Sequence, residues 1–188
     1  MKKGKIALIA VIAVAVVLVI AVISGYNGLV SEQEKVNDAQ AQISVQLQRR
    51  ADLIPNFVNT VKGYSDYEKS TYTAVTEART AVSKANTVKE QQEAEQQLDK
   101  AVSVWVNAVT EAYPDLKANS QYTALTDELS GSENRIATAR RDYNKAANEY
   151  NTKIRKFPKS IIAGIFGFDK VDYFANSQGA ENVPSVNF

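Results

Sequence analysis

The chain has 188 residues, with 22 Lys and Arg against 21 Asp and Glu, and it contains neither Cys nor His. The lack of those two residue types excludes disulfides, thiol nucleophiles, imidazole general bases and His- or Cys-ligated metals. With Lys2, Lys3 and Lys5 set aside, 19 bases remain against 21 acids, so the body of the chain offers no electrostatic footprint for nucleic acid.

The first predicted element is the apolar run over residues 6–23, 18 residues without interruption. At 1.5 Å per residue it spans roughly 27 Å, close to the hydrocarbon thickness of a bilayer, and its backbone must be helical because lipid offers no partner for a free amide. The expectation is a transmembrane helix over 6–24 and a single-pass protein of the cell membrane that contacts the lipid bilayer there. The lysines precede the run and the next charge is Glu32, which places 1–5 in the cytoplasm and the remainder on the extracytoplasmic side. A cleaved signal peptide cut near Gly25 is the competing reading, against which the run exceeds the ~7–15 residues of a signal core. Ala21 and Gly25 form one small-residue pair at the membrane exit, weak by itself as a dimerisation signal.

From Tyr26 a helical rhythm sets in. Leu29, Val36, Ile43, Arg50, Phe57 and Tyr64 recur every seven residues, and Gln33, Gln40, Leu47, Ile54 and Val61 interleave them, a coiled-coil-like stripe over five heptads. Pro55 falls inside this helix 1 (about 26–64), predicting a kink near Asp52–Pro55 or, alternatively, a break with Pro55 restarting the helix. Gly63 with Ser65 and Asp66 marks its end. Helix 2 is predicted over about 66–85, with Tyr72, Val75, Ala78, Val82 and Ala85 as its apolar line. Helix 3 follows over about 88–112, with Leu98, Ala101, Val102, Trp105, Ala108, Val109 and Ala112 on one side. Thr87 and Glu90 have the spacing of a capping box at its start. Tyr113-Pro114-Asp115 ends it. Helix 4 is predicted over about 120–157, where Tyr122, Leu129, Ile136, Tyr143, Tyr150 and Phe157 repeat every seven residues with Ser132, Ala139 and Ala146 between them. Alternation of large and small residues suits interdigitating helices.

Helices 1 and 4 have nearly equal predicted lengths and short connections favour antiparallel neighbours. The predicted fold is therefore all-α: an N-terminal transmembrane helix followed by an antiparallel long-helix, four-helix bundle over 25–158. An apolar segment and tail follow over 159–188.

Several blocks resemble the LemA family. Tyr26-Asn27-Gly28-Leu29-Val30 resembles the start of that family's soluble domain. Val45-Gln46-Leu47-Gln48-Arg49-Arg50, Asp52-Leu53-Ile54-Pro55-Asn56 and Val61-Lys62-Gly63-Tyr64 follow in order, then Val75-Thr76-Glu77-Ala78-Arg79 and Tyr113-Pro114-Asp115-Leu116-Lys117-Ala118-Asn119. Ser132-Glu133-Asn134-Arg135-Ile136-Ala137, Ala139-Arg140-Arg141-Asp142-Tyr143-Asn144, Tyr150-Asn151, Phe157-Pro158 and Ile162-Ala163-Gly164-Ile165-Phe166-Gly167-Phe168 complete the series. The resemblance covers the whole segment after the anchor, with little signal over 80–97. It implies an N-terminally anchored, mostly helical protein of bacterial envelopes and no particular biochemical activity.

Arg49-Arg50 is the first polar cluster to weigh, because Arg50 lies on the apolar stripe. If helices 1 and 4 run antiparallel with level ends, the two arginines face Glu133 and Ser132. The expectation is a structural ion pair of Arg49 or Arg50 with Glu133, with binding of an anionic ligand as the alternative. Tyr122, Tyr143 and Tyr150 share a face and are expected in the core with hydroxyls at its rim. Ile161, Ile162, Ile165, Phe166 and Phe168 form a candidate membrane or packing segment. Packing onto the membrane-proximal end of helices 1 and 4 is favoured, because their apolar stripe needs cover there; burial in the lipid interface is the other reading. Beyond about Asn176 a disordered end is favoured over a docked strap. No P-loop, nucleophile elbow or zinc motif is present, so no catalytic, cofactor or metal residue is assigned and the chain is not expected to be an enzyme. The function expected is an interaction or scaffolding module with a protein partner or self-association. A membrane-remodelling or ligand-sensing stalk is the alternative, and a hydrolase with paired carboxylates ranks last.

Overall fold

The computed structural model describes residues 2–62 and 69–175. Within them the secondary structure is helical: α1 (Lys2–Lys62), α2 (Lys69–Lys84), α3 (Val88–Ala112), a 3-10 turn (Pro114–Ala118), α4 (Ser120–Arg155) and α5 (Lys159–Phe166). The expected end of helix 1 at Gly63, the start of helix 2 near Asp66, the place of Tyr64 and the tail after Asn176 lie outside the described residues. The chain divides into two compact units, residues 1–39 with 144–172 and residues 40–143 with 173–188.

Two expected elements are one helix. The apolar run and helix 1 join through Ser24–Gly28 without a break, and α1 also continues through Pro55. Proline in a helix interior removes one hydrogen bond and crowds the preceding turn. Here Ile54, Phe57, Val58 and Val61 on either side of it are buried and α1 stays helical, so the break that was the alternative does not occur. The apolar run itself is exposed throughout, which makes α1 one helix long and apolar enough to cross a membrane by length and composition.

The first unit is built on residues of α1 before Gln40, the last turns of α4, and α5. Leu29 and Val36 of α1 are buried, as are Ala147, Tyr150 and Ile154 of α4. The second unit buries Ile43, Leu47, Arg50, Ile54, Phe57 and Val61 of α1, which continue the sevenfold repeat read from the sequence. α2 contributes Val75, Ala78 and Val82, and α3 contributes Leu98, Val102, Trp105 and Val109. α4 adds Tyr122, Leu129, Ser132, Ile136 and Tyr143. Phe57 lies 4.9 Å from Trp105 and 5.2 Å from Tyr122, ring centre to ring centre.

The caps explain the boundaries. Thr87 accepts from the Glu90 amide at 3.2 Å, and Glu90 accepts from the Thr87 and Asn86 amides at 2.9 Å each, the capping box read from the sequence. Asn119 opens α4 by accepting from the amides of Gln121 and Tyr122 at 2.9 and 3.0 Å. Between α3 and α4, the 3-10 turn buries Leu116 completely. One large residue departs from the predicted stripe: Phe157 lies beyond the end of α4 and is 80% exposed. Pro158 follows it, and proline disfavours helical backbone in its predecessor.

Candidate functional site

Three groups of side chains stand out. The first surrounds α5. Lys159–Phe166 forms a short helix that Gly167 ends with φ 73°, a left-handed conformation suited to glycine, and the Phe168 amide closes the cap on the Ala163 carbonyl at 3.0 Å. Its inner face, Ile162 and Ala163, is buried. A Cβ built on Gly25 of α1 would stand 2.3 Å from Ile162 Cδ1, so a glycine lets the two helices approach this closely. Tyr26 closes the contact, with its ring 4.9 Å from Phe166 and 5.5 Å from Phe168. The five residues predicted as a membrane or packing segment thus divide. Ile162 turns inward, Phe168 is half-buried beside Tyr26, and Ile161, Ile165 and Phe166 remain at least half exposed.

The second group ties α1 to α4 inside the same unit. The carboxylate of buried Glu32 accepts from Lys153 at 2.7 Å and from Lys35 at 2.9 Å, and these hydrogen bonds hold it below the ordinary glutamate range despite burial. Asn151 uses both ends of its amide on one residue, donating to the Val171 carbonyl at 2.9 Å and accepting from the Val171 amide at 3.0 Å. Burial, and to a lesser degree the Asp169 charge, push the Tyr150 phenol upward; its hydroxyl, expected at the rim, is instead buried without a hydrogen-bond partner.

The third group is a polar layer inside the second unit. Arg50 is buried and pairs with Asp99. Glu95, also buried, lies 3.3 Å from Arg140. Burial pushes Glu95 and Asp99 above their ordinary values, outweighing the pull of Arg140 and Arg50. Above this layer Gln91 donates to Ser44 at 2.7 Å, and on its flank Glu128 joins Arg49 at 3.0 Å to Arg135 at 2.6 Å. Arg49 and Arg50 therefore meet Glu128 and Asp99 rather than Glu133. Glu128 lies five residues before Glu133, the partner that level ends would give. That register ignored α3, which supplies Asp99 directly to the buried guanidinium.

Arg140 also donates to the Ala175 carbonyl, and its guanidinium lies 5.6 Å from the centre of the Phe174 ring. Phe174 is buried edge-on against Tyr143 at 5.1 Å, and the Ala175 amide donates to Gln92 at 3.1 Å. A docked extended segment thus reaches at least residue 175.

Sequence reasoning gave no role to Asp99, Arg140, Asn151 and Phe174, and it took Glu95 for part of a solvated face, whereas Glu95 is buried against Arg140. A signal for the buried carboxylate was present: Gln91 and Glu95 extend the spacing of Leu98, Val102, Trp105 and Val109 backwards, so they fall on the buried line of α3. Phe174 carried no such signal, because an extended segment has no helical period. A pocket of about 360 Å³ beside this layer is lined by Ser44, Val45, Leu47, Gln48, Val82, Ser83, Ala85, Asn86 and Gln91, none of them titratable. Among the described residues no group of three acidic side chains has metal-holding geometry.

Comparison with known proteins gives a match to the LemA family over residues 39–188. Protein LemA of Metamycoplasma hominis is 28% identical over 153 residues, covering 81% of this chain and 69% of that protein. Magnetosome protein MamQ 2 of Paramagnetospirillum magneticum is 28% identical over 174 residues, covering 79% of this chain. Magnetosome protein MamQ of Magnetospirillum gryphiswaldense is 25% identical over the same length. The chain spans 64% of each of the two MamQ relatives. None of these names is that of an enzyme.

Proposed function

The chain belongs to the LemA family, and on that premise we propose that it is a single-pass, membrane-anchored, non-enzymatic helical module of the bacterial envelope, holding protein partners or further copies of itself. The carrying observation is that the exposed apolar helix is continuous with the packed α1, so the anchor and the packed helix are one rod. Residues 1–5 would lie in the cytoplasm, 6–24 in the bilayer and the remainder outside, a reading supported by three lysines before the run and no charge after it until Glu32.

Contacts in the second unit support an antiparallel four-helix arrangement. Arg49 and Phe57 of α1 meet Glu128 and Tyr122 of α4, in opposite chain order. Ser44 and Arg50 of α1 meet Gln91 and Asp99 of α3 in the same order. Glu95 and Thr110 of α3 meet Arg140 and Tyr122 of α4 in opposite order again. The polar layer has the character of a device that fixes register, since its charges are matched across three helices, with buried Arg50 and Glu95 each facing a half-buried partner. Its two raised carboxylates face arginines instead of an open pocket, which favours an interaction role over hydrolysis.

Exposed Val45 on α1 and Val104 on α3 mark solvent faces of the second unit. Photocrosslinkers placed there in cells should trap a discrete protein adduct, heterologous or with a second copy. Only lipid or no adducts from either position would count against an interaction module.

A further inference from the structure

We infer that α5 is a second membrane contact, its outer face lying with Phe157 in the headgroup layer of the bilayer that holds α1. This rests on the reading of residues 6–24 as an anchor.

Depth is the first argument. Ile162 packs on Gly25, only two residues beyond Ile23, the last of the apolar run. Two residues of helix advance about 3 Å, whereas the headgroup layer is roughly 5–7 Å thick on each side. Phe166, its ring tilted against that of Tyr26 at 4.9 Å, lies at nearly the same level. Whatever depth the anchor adopts along its axis, α5 goes with it, because Gly25 seats it there.

The second argument is the face. Ile165 is 71% exposed and Ile161 55%, and being four apart they point the same way from α5. Phe166 is 50% exposed and Phe157 80%. An ordinary amphipathic surface helix turns a polar face to water; α5 has only Lys159 and Ser160 as polar residues, and its covered side is already taken by α1. The outward face is thus apolar with no protein of this unit over it, beside a helix whose own exposed residues are anchored in lipid.

Charge is the third. Beyond Lys153, which Glu32 holds, residues 155–172 carry four bases against two acids. Lys159 reaches to within 3.3 Å of where a Cβ on Gly28 would be, about 7.5 Å beyond Ile23, the level at which a lysine stem can lie along apolar surface with its ammonium among phosphates. The occupant is therefore lipid, with the headgroup-proximal acyl segments against the isoleucines and anionic headgroups against the lysines.

The test uses the full chain in vesicles of phosphatidylethanolamine and phosphatidylglycerol. Since the chain has no Cys, single spin labels can be introduced without altering a background. Labels at Ile161→Cys and Ile165→Cys are compared with Ile20→Cys in the anchor and Val45→Cys on the second unit, reading collision with oxygen against collision with a polar nickel chelate. The expected result ranks the α5 labels with Ile20, oxygen favoured, and Val45 the reverse. Nickel-favoured labels on α5 with an oxygen-favoured Ile20 overturn the inference and leave the anchor intact. Labels on α5 shielded from both reagents also overturn it, in favour of a protein cover. A nickel-favoured Ile20 overturns the anchor reading itself.

Discussion

Tyr150 and Glu32 lie in the same unit and carry opposite accounts of a buried polar group. The Tyr150 hydroxyl is buried without a partner, so it costs desolvation and gains no hydrogen bond. Tyr150→Phe should leave stability unchanged or raise it by about 1 kcal/mol, read from chemical unfolding of the full chain in micelles; a clear loss would mean that the hydroxyl is bonded. Glu32 is instead held down by Lys153 and Lys35. A carboxylate with a depressed folded value contributes stability that is present above its ordinary value of 4.5 and is lost as pH falls through the folded value. Glu32→Gln should therefore cost on the order of 1 kcal/mol at neutral pH, and the deficit should close in acid below 4.5. Glu95 and Asp99 have the opposite sign. Burial raises both, so what they contribute is present below their ordinary values, 4.5 and 3.8, and is lost as pH rises through the raised values. Trp105 is the one Trp of the chain and is buried in that unit, so its fluorescence reports there. Melting followed at Trp105 should rise as pH is lowered through the raised values toward 4.5, and the rise should vanish in a Glu95→Gln, Asp99→Asn double variant.

Elements in this chain are set by where helices may approach and where they must stop. Gly25 and Gly164 make the contrast. Gly25→Leu would drive a side chain into Ile162 and should loosen α5 at a cost of about 1–3 kcal/mol, visible as faster tryptic cleavage at Lys156 and Lys159. Gly164 has open space around its Cβ position, so Gly164→Ala should instead stabilise α5 by about 0.5–1 kcal/mol. The sevenfold stripe of α1, the capping box at Thr87 and the buried tyrosines of α4 were legible because helical period and cap chemistry are local properties. The partners of Arg49 and Arg50 were not, because pairing depends on a third helix whose position no local pattern encodes. The ends of the stripes were also hidden: Phe157 keeps the spacing of Tyr143 and Tyr150, yet Pro158 ends the helix before it. The segment containing Phe174 was invisible for lack of any period. Phe174→Ala should cost about 3 kcal/mol by emptying a buried aromatic site, checked by unfolding followed at Trp105.

At the scale of the molecule, family membership and the exposed apolar helix point the same way, to a membrane-associated helical protein. What the helices offer is surface: exposed valines on one unit and an apolar foot on the other. The central claim is that one helix passes from the cytoplasm through lipid into the packed protein outside. Labelling intact cells with a membrane-impermeant maleimide tests it most directly, using Lys3→Cys and Val45→Cys in separate chains. The account predicts that Val45→Cys is labelled at once and Lys3→Cys only after the membrane is opened. Labelling in the reverse order, or a mature chain that has lost residue 3, would contradict it.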